Sequence, residues 1–126
     1  MAEPTDALIV FAHGSRVPDA NQAVEDLAHA AAERADFDRW RAAFLEQAHP
    51  DLKTAVKQLA SEGARRIIVM PYFLVMGIHL RDDLPMLLAE AERENPGVEV
   101  RASEPLGGHP ELAKIVAERA SAALEQ

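Results

Sequence analysis

Four short apolar runs alternate along the chain with four longer segments in which apolar residues recur every three or four positions. The runs are Ala7–Ala12, Arg39–Leu45, Arg66–Pro71 and Val98–Ala102, and their length and β-branched content predict strands. Apolar faces of helices are marked by Val24, Leu27, Ala28 and Ala31, by Leu52, Val56 and Leu59, by Leu84, Leu87, Leu88 and Ala91, and by Leu112, Ile115, Val116 and Ala120. Each face is expected to lie against a sheet. This alternation predicts an α/β fold in three layers, a four-stranded parallel sheet with helices on both sides and right-handed crossovers. Pro18, Pro50, Pro85 and Pro110 fall where the first turns should begin, since a helix loses nothing by lacking an N–H there. The near-identical segments His49-Pro50-Asp51-Leu52 and His109-Pro110-Glu111-Leu112 read as shared helix-start chemistry.

A length of 126 residues fits one domain, 1–126, with a core large enough to stabilise it. Apolar residues make up 48% and charged residues 27%, the balance of a globular protein. There is no cysteine, which excludes disulfides, thiol nucleophiles and thiolate-held clusters, so a metal must sit on His, Asp or Glu. The net charge of −8 opposes general binding to nucleic acid or an anionic membrane, and an anionic ligand would need a local basic patch. The apolar stretch nearest the N-terminus, Ala7–Ala12, is too short for a signal peptide or a membrane span, and the expectation is a cytosolic protein.

In an open α/β sheet, ligands bind beyond the carboxyl ends of the strands. There the first strand runs into His13-Gly14-Ser15-Arg16, the second ends at Leu45-Glu46, and the third leads through an apolar loop containing Gly77 to His79. Equal intervals of 33 residues, about one βα unit, separate 13 from 46 and 46 from 79, so the three side chains can meet at one edge. Two imidazoles and a carboxylate suit a divalent first-row metal and leave coordination positions open, as a working site requires. Each residue also has a plainer role: His13 as a hydrogen-bonded strand-end residue, Gly14 and Ser15 as turn and helix cap, Glu46 as a solvated carboxylate. His29 is expected on the surface, and His49 and His109 at helix starts. The run Tyr72–Ile78 is either core or an apolar wall for a flat ligand.

These residues resemble the class II tetrapyrrole chelatases, in particular the small sirohydrochlorin chelatases of the CbiX and SirB type. The likeness runs from Ala7 to about Ala122. Its landmarks are Phe11-Ala12-His13-Gly14-Ser15-Arg16, Ala43-Phe44-Leu45-Glu46, Gly63 to Pro71, Gly77-Ile78-His79-Leu80-Arg81-Asp82-Asp83-Leu84-Pro85 and Pro105-Leu106-Gly107-Gly108-His109-Pro110. The resemblance implies that His13 and His79 handle the metal, with Glu46 beside them, and that Co²⁺, Fe²⁺ or Ni²⁺ enters sirohydrochlorin as substrate with no organic cofactor. Ser15, Arg16 and Arg81 are then the contacts for the tetrapyrrole, the arginines meeting its rim of eight carboxylates. The chain departs from the family pattern at His49, where an acidic residue is common, and at Phe11-Ala12, where glycine usually precedes the histidine. Many relatives are twice as long with two such domains, so the resemblance implies a homodimer here, and the apolar run Phe73, Leu74, Val75, Met76 and Ile78 agrees with it.

Three other readings are weaker or share the same residues. A histidine phosphatase would need an arginine where Ala12 stands, and a receiver domain would need acids where His13 and Met70-Pro71 stand. A carrier that binds metal or tetrapyrrole without turnover would use the same His and Glu set.

Overall fold

The computed structural model describes residues 2–126. Strand β1 (Asp6–Ala12) is buried along its whole length, as the apolar run Ala7–Ala12 requires of a central strand. It pairs in parallel with β2 (Arg39–Phe44) on one side and β3 (Arg66–Pro71) on the other, and β3 pairs in parallel with β4 (Glu99–Ala102). The order is therefore β2-β1-β3-β4.

Residues of opposite parity along the strands feed two cores. Ile9, Phe11, Ile67, Val69 and Val100 pack with Leu52, Val56 and Leu59 of α2 (Leu52–Ser61) and with Leu84 and Ala91 of α3 (Ile78–Glu94). On the other face, Leu8, Val10, Ala42 and Phe44 pack with Ala28 and Ala32 of α1 (Pro18–Arg34). Three layers thus form, as the alternation of the sequence predicts. Leu27 is 40% exposed, and Ala32 rather than Leu27 completes the buried stripe of α1.

Two expectations need correction. Pro85 does not open the third helix: α3 begins at Ile78 behind Gly77 and carries Pro85 in its interior. The first helical bond, from Arg81 N–H to the Gly77 carbonyl, forms before the proline is reached, and Pro85 then leaves the Arg81 carbonyl without its i+4 donor. His79 and Arg81 accordingly lie in the first turn of a helix and not on a loop. The second correction concerns α4 (Glu111–Leu124), which has no buried residue: Leu112 is half-buried, while Ile115, Val116 and Ala120 are exposed. Its connector is bonded over the carboxyl edge of the sheet, so the helix starts beyond that edge instead of folding back along it. Amphipathic period reports that a face seeks an apolar partner, without saying which surface supplies it.

Candidate metal site at the sheet switch point

The strand order places a topological switch between β1 and β3. From β1 the chain crosses by α1 to β2 on one side, and from β3 it crosses by α3 to β4 on the other, so the two connections diverge and leave a crevice at their carboxyl ends. His13 follows β1 on one bank. His79, in the first turn of α3, follows β3 on the other.

Glu46 reaches His13 through main-chain pairing that continues past the strands. Leu45 N–H donates to the Ala12 carbonyl at 2.9 Å and Glu46 N–H to the His13 carbonyl at 3.0 Å. Gly14 permits this approach: its φ is +95°, and a Cβ there would stand 1.8 Å from the Glu46 carbonyl oxygen. His13 Nε2 then lies 3.3 Å from Glu46 Oε1, with both side chains more than half exposed, at 61% and 55%. The pair is open to water on its outer side.

His79 is exposed and lines a cleft of about 350 Å³ with Leu45, Leu80, Asp83, Met86 and Leu87. Leu45, the residue before Glu46, is the part of this lining that comes from the end of β2; neither His13 nor Glu46 lines the cleft. Two of the three expected residues are thus in contact, with the third across the crevice. Among the described residues, no cluster of three His, Asp or Glu is close enough to hold a metal ion.

Arg16 Nε donates to Gln47 Oε1 at 3.1 Å, which tethers its exposed guanidinium beside the pair. Arg81 is exposed on α3. The Ser15 hydroxyl accepts from Val17 N–H at 3.0 Å, which leaves its own proton free to donate; the N-cap position of α1 is Val17. Leu74, Val75 and Ile78 are 67%, 83% and 67% exposed, while Phe73 and Met76 pack on the core, so the run splits between wall and core.

Two residues of the site region carry no motif. Asn21 clamps the first loop by accepting from Ser15 N–H at 3.0 Å and donating to the Ser15 carbonyl at 2.8 Å; an amide in the first turn of a helix is the sole sequence signal it gives. Gln47 has a φ of +68° and nothing in its sequence context announces it. The other histidines behave as surface or helix-start residues. His29 stacks on Trp40 and pairs with Glu33, and His109 Nδ1 accepts from Glu111 N–H. His49 is exposed and precedes Asp51, whose carboxylate caps α2 by accepting from Thr54 N–H at 2.8 Å. The Thr54 side chain first, and then its N–H, hold the Asp51 carboxyl below the usual range.

The fold and this edge define a three-layer parallel α/β protein with a His–Glu pair in contact at its switch point. The chain belongs to the CbiX family, whose model matches residues 7–123. It is 35% identical to a sirohydrochlorin cobaltochelatase of Methanopyrus kandleri, over 94% of this chain and 96% of that one. It is 33% identical to a chloroplastic sirohydrochlorin ferrochelatase of Arabidopsis thaliana, covering 90% of this chain and 51% of the relative. Among solved structures, the sirohydrochlorin chelatase SirB of Bacillus subtilis subspecies spizizenii in complex with cobalt superposes with a TM-score of 0.83 at 26% identity, over 93% of this chain and 50% of SirB. No helix among the described residues is long and apolar enough to cross a membrane.

Proposed function

We propose that this chain inserts Co²⁺ or Fe²⁺, and Ni²⁺ where it is supplied, into sirohydrochlorin, acting as one chelatase unit over residues 1–126. The observation that carries this reading is the His13–Glu46 contact at the switch point of a CbiX-family fold, with His79 across the crevice.

Insertion exchanges one divalent cation for two pyrrole N–H protons. The macrocycle gains the metal, and two protons leave through bases. No electron or group is transferred, so the step needs no organic cofactor. His13 and His79 serve as neutral nitrogen ligands for a borderline first-row cation. Glu46, in contact with His13, takes the proton that a metal-binding imidazole cannot take while it is ligated. An exposed pair holds its ion weakly, which suits a site that must give the ion up. Leu74, Val75 and Ile78 offer an apolar wall for the disc, and Ser15, Arg16 and Arg81 donate to its carboxylate rim.

The working protein is a homodimer in the cytosol, where a substrate ringed by carboxylates dissolves. The exposed apolar loop and the uncovered helix α4 both support pairing. The deciding experiment follows free sirohydrochlorin absorbance with Co²⁺, Fe²⁺ or Ni²⁺ at catalytic protein concentration. Repeated turnover is expected, with His79→Ala reducing it about 100-fold or more. Loss of absorbance that stops at one equivalent of protein would identify a carrier and overturn the enzymatic reading.

A further inference from the structure

The two imidazoles of the crevice are held differently. His13 has the Glu46 carboxylate 3.3 Å away, brought there by main-chain bonds. Among the described residues, the hydrogen bonds and ion pairs of histidine side chains belong to His13, His29 and His109, so the His79 ring is held by none. A histidine that gives one ring nitrogen to a cation keeps an N–H on the other. At metal centres that N–H almost always donates to a carboxylate, a carbonyl or water, which fixes the tautomer and the direction of the ring.

Helix α3 supplies an acceptor. Leu80, Leu84, Leu87 and Ala91 turn to the core, which sets the rotation of the helix about its axis. With that rotation fixed, His79 and Asp83, four residues apart, stand on the flank that faces Leu45 and line the same cleft of about 350 Å³. Residues so spaced have Cβ atoms ~5–6 Å apart. Helix α1 shows the reach of this interval, since His29 Nε2 lies 3.3 Å from Glu33 Oε1. Aspartate is one methylene shorter than glutamate, and the His79 and Asp83 side chains are not bonded in the structure; turning the exposed ring about its own χ angles brings them together.

The neighbouring carboxylates are engaged or misplaced. Glu90, in the same cleft, leans to Lys53 Nζ at 4.0 Å, and Glu94 pairs with that ammonium at 2.9 Å. Asp82 is three residues from His79 and does not line the cleft. Asp83 has no cation at helical spacing, because Leu80, Met86 and Leu87 occupy the other positions three or four residues away. The walls of Leu45, Leu80, Met86 and Leu87 are apolar, so a hydrogen bond formed there competes with less water than one on the open surface.

We infer that Asp83 is the positioning residue of His79: its carboxylate accepts the N–H of the ring nitrogen turned away from the metal ion and so fixes the imidazole for ligation. The inference rests on the proposal that His79 is a ligand, and adds the group that aims it. Asp83 touches neither the ion nor the macrocycle. Each imidazole then has one carboxylate, set by a sheet edge for His13 and by a helical turn for His79.

The test titrates Co²⁺ into the full chain without sirohydrochlorin and follows the visible absorption of the ion. Asp83→Ala is expected to weaken binding about 10-fold or more, the usual effect of removing the partner of a ligating histidine. Asp83→Asn, whose amide oxygen still accepts, stays within about threefold of the parent. Asp82→Ala, which removes the same charge one residue away, leaves binding unchanged. With Zn²⁺ bound, the remaining ring N–H of His79 gives a slowly exchanging proton resonance in the parent and in Asp83→Asn, and none in Asp83→Ala. Urea midpoints coincide, since Asp83 makes no bond that holds the fold. Unchanged Co²⁺ affinity in Asp83→Ala overturns the inference, and so does an equal loss in Asp82→Ala or in Asp83→Asn, either of which assigns the effect to charge alone. His79→Ala separates this role from the larger reading. If that variant binds Co²⁺ as the parent does, or the parent binds none, His79 is not a ligand and both fall; if it loses binding while Asp83→Ala does not, only the positioning role falls.

Discussion

At the scale of single residues, the site separates the atoms that do chemistry from the atoms that hold them. His13 and Glu46 touch through exposed side chains, while the approach is enforced by Leu45 N–H and Glu46 N–H and by the absence of a side chain at Gly14. Removing side chains alone should therefore spare the fold. Glu46→Gln is expected to lower kcat about 10- to 100-fold with KM for sirohydrochlorin nearly unchanged, and to keep stability within about 0.5 kcal/mol in urea melts. Gly14→Ala should act in the opposite way. A methyl 1.8 Å from a carbonyl oxygen cannot be accommodated, and a positive φ adds strain, so about 2 kcal/mol or more of stability should go together with activity. A variant as stable as the parent would show that the clamp is dispensable. His13 and Glu46 were legible in the sequence because strand ends announce themselves by the break in apolar run, and in a parallel sheet strand ends share an edge. The clamp was less legible, since Gln47 and Asn21 act through conformation and hydrogen bonding that no spacing encodes.

At the scale of elements, helix starts divide into those with a side-chain signal and those without. Asp51 caps α2 through a carboxylate, and Pro18 opens α1 at its first position, both readable directly. Gly77 opens α3 with no side chain to announce it, and Pro85 looks like a start while sitting inside the helix. That displacement moved His79 from an expected loop into a first turn. Asp51→Ala should destabilise the protein by about 1 kcal/mol at pH 7, measured by urea denaturation. The Thr54 side chain and N–H together depress the folded carboxyl, so the cap contributes fully above the unfolded carboxyl value and is lost as pH falls through the depressed one. Parent and variant should therefore converge in acid. The apolar stripe of α4 was legible as a stripe, whereas its partner was not, because periodicity is a property of one helix and burial is a property of two surfaces.

At the scale of the whole molecule, the two ends of the sheet divide the work. The carboxyl end holds the exposed candidate site. At the amino end, the buried Asp6 carboxylate receives Arg66 Nε and Nη2, both at 2.8 Å, and Glu3 N–H at 2.7 Å, joining β1 to β3. The Arg66 bonds, with help from the Glu3 amide, hold the Asp6 carboxyl below its ordinary value. Asp6→Asn should cost about 1–3 kcal/mol at neutral pH while leaving turnover per folded molecule unchanged. The parent's advantage is complete above the unfolded carboxyl value and fades as pH drops through the lowered folded one. A change in turnover alone would show that the two ends are coupled.

The main-chain clamp at Gly14 has a consequence for how such a protein changes over generations. Because peptide atoms fix where residues 13 and 46 stand, substitutions of the side chains there are nearly free of folding cost. Ligand identity at the crevice is thus open to drift, and a lineage can shift its preferred ion one replacement at a time without first acquiring a stabilising mutation elsewhere.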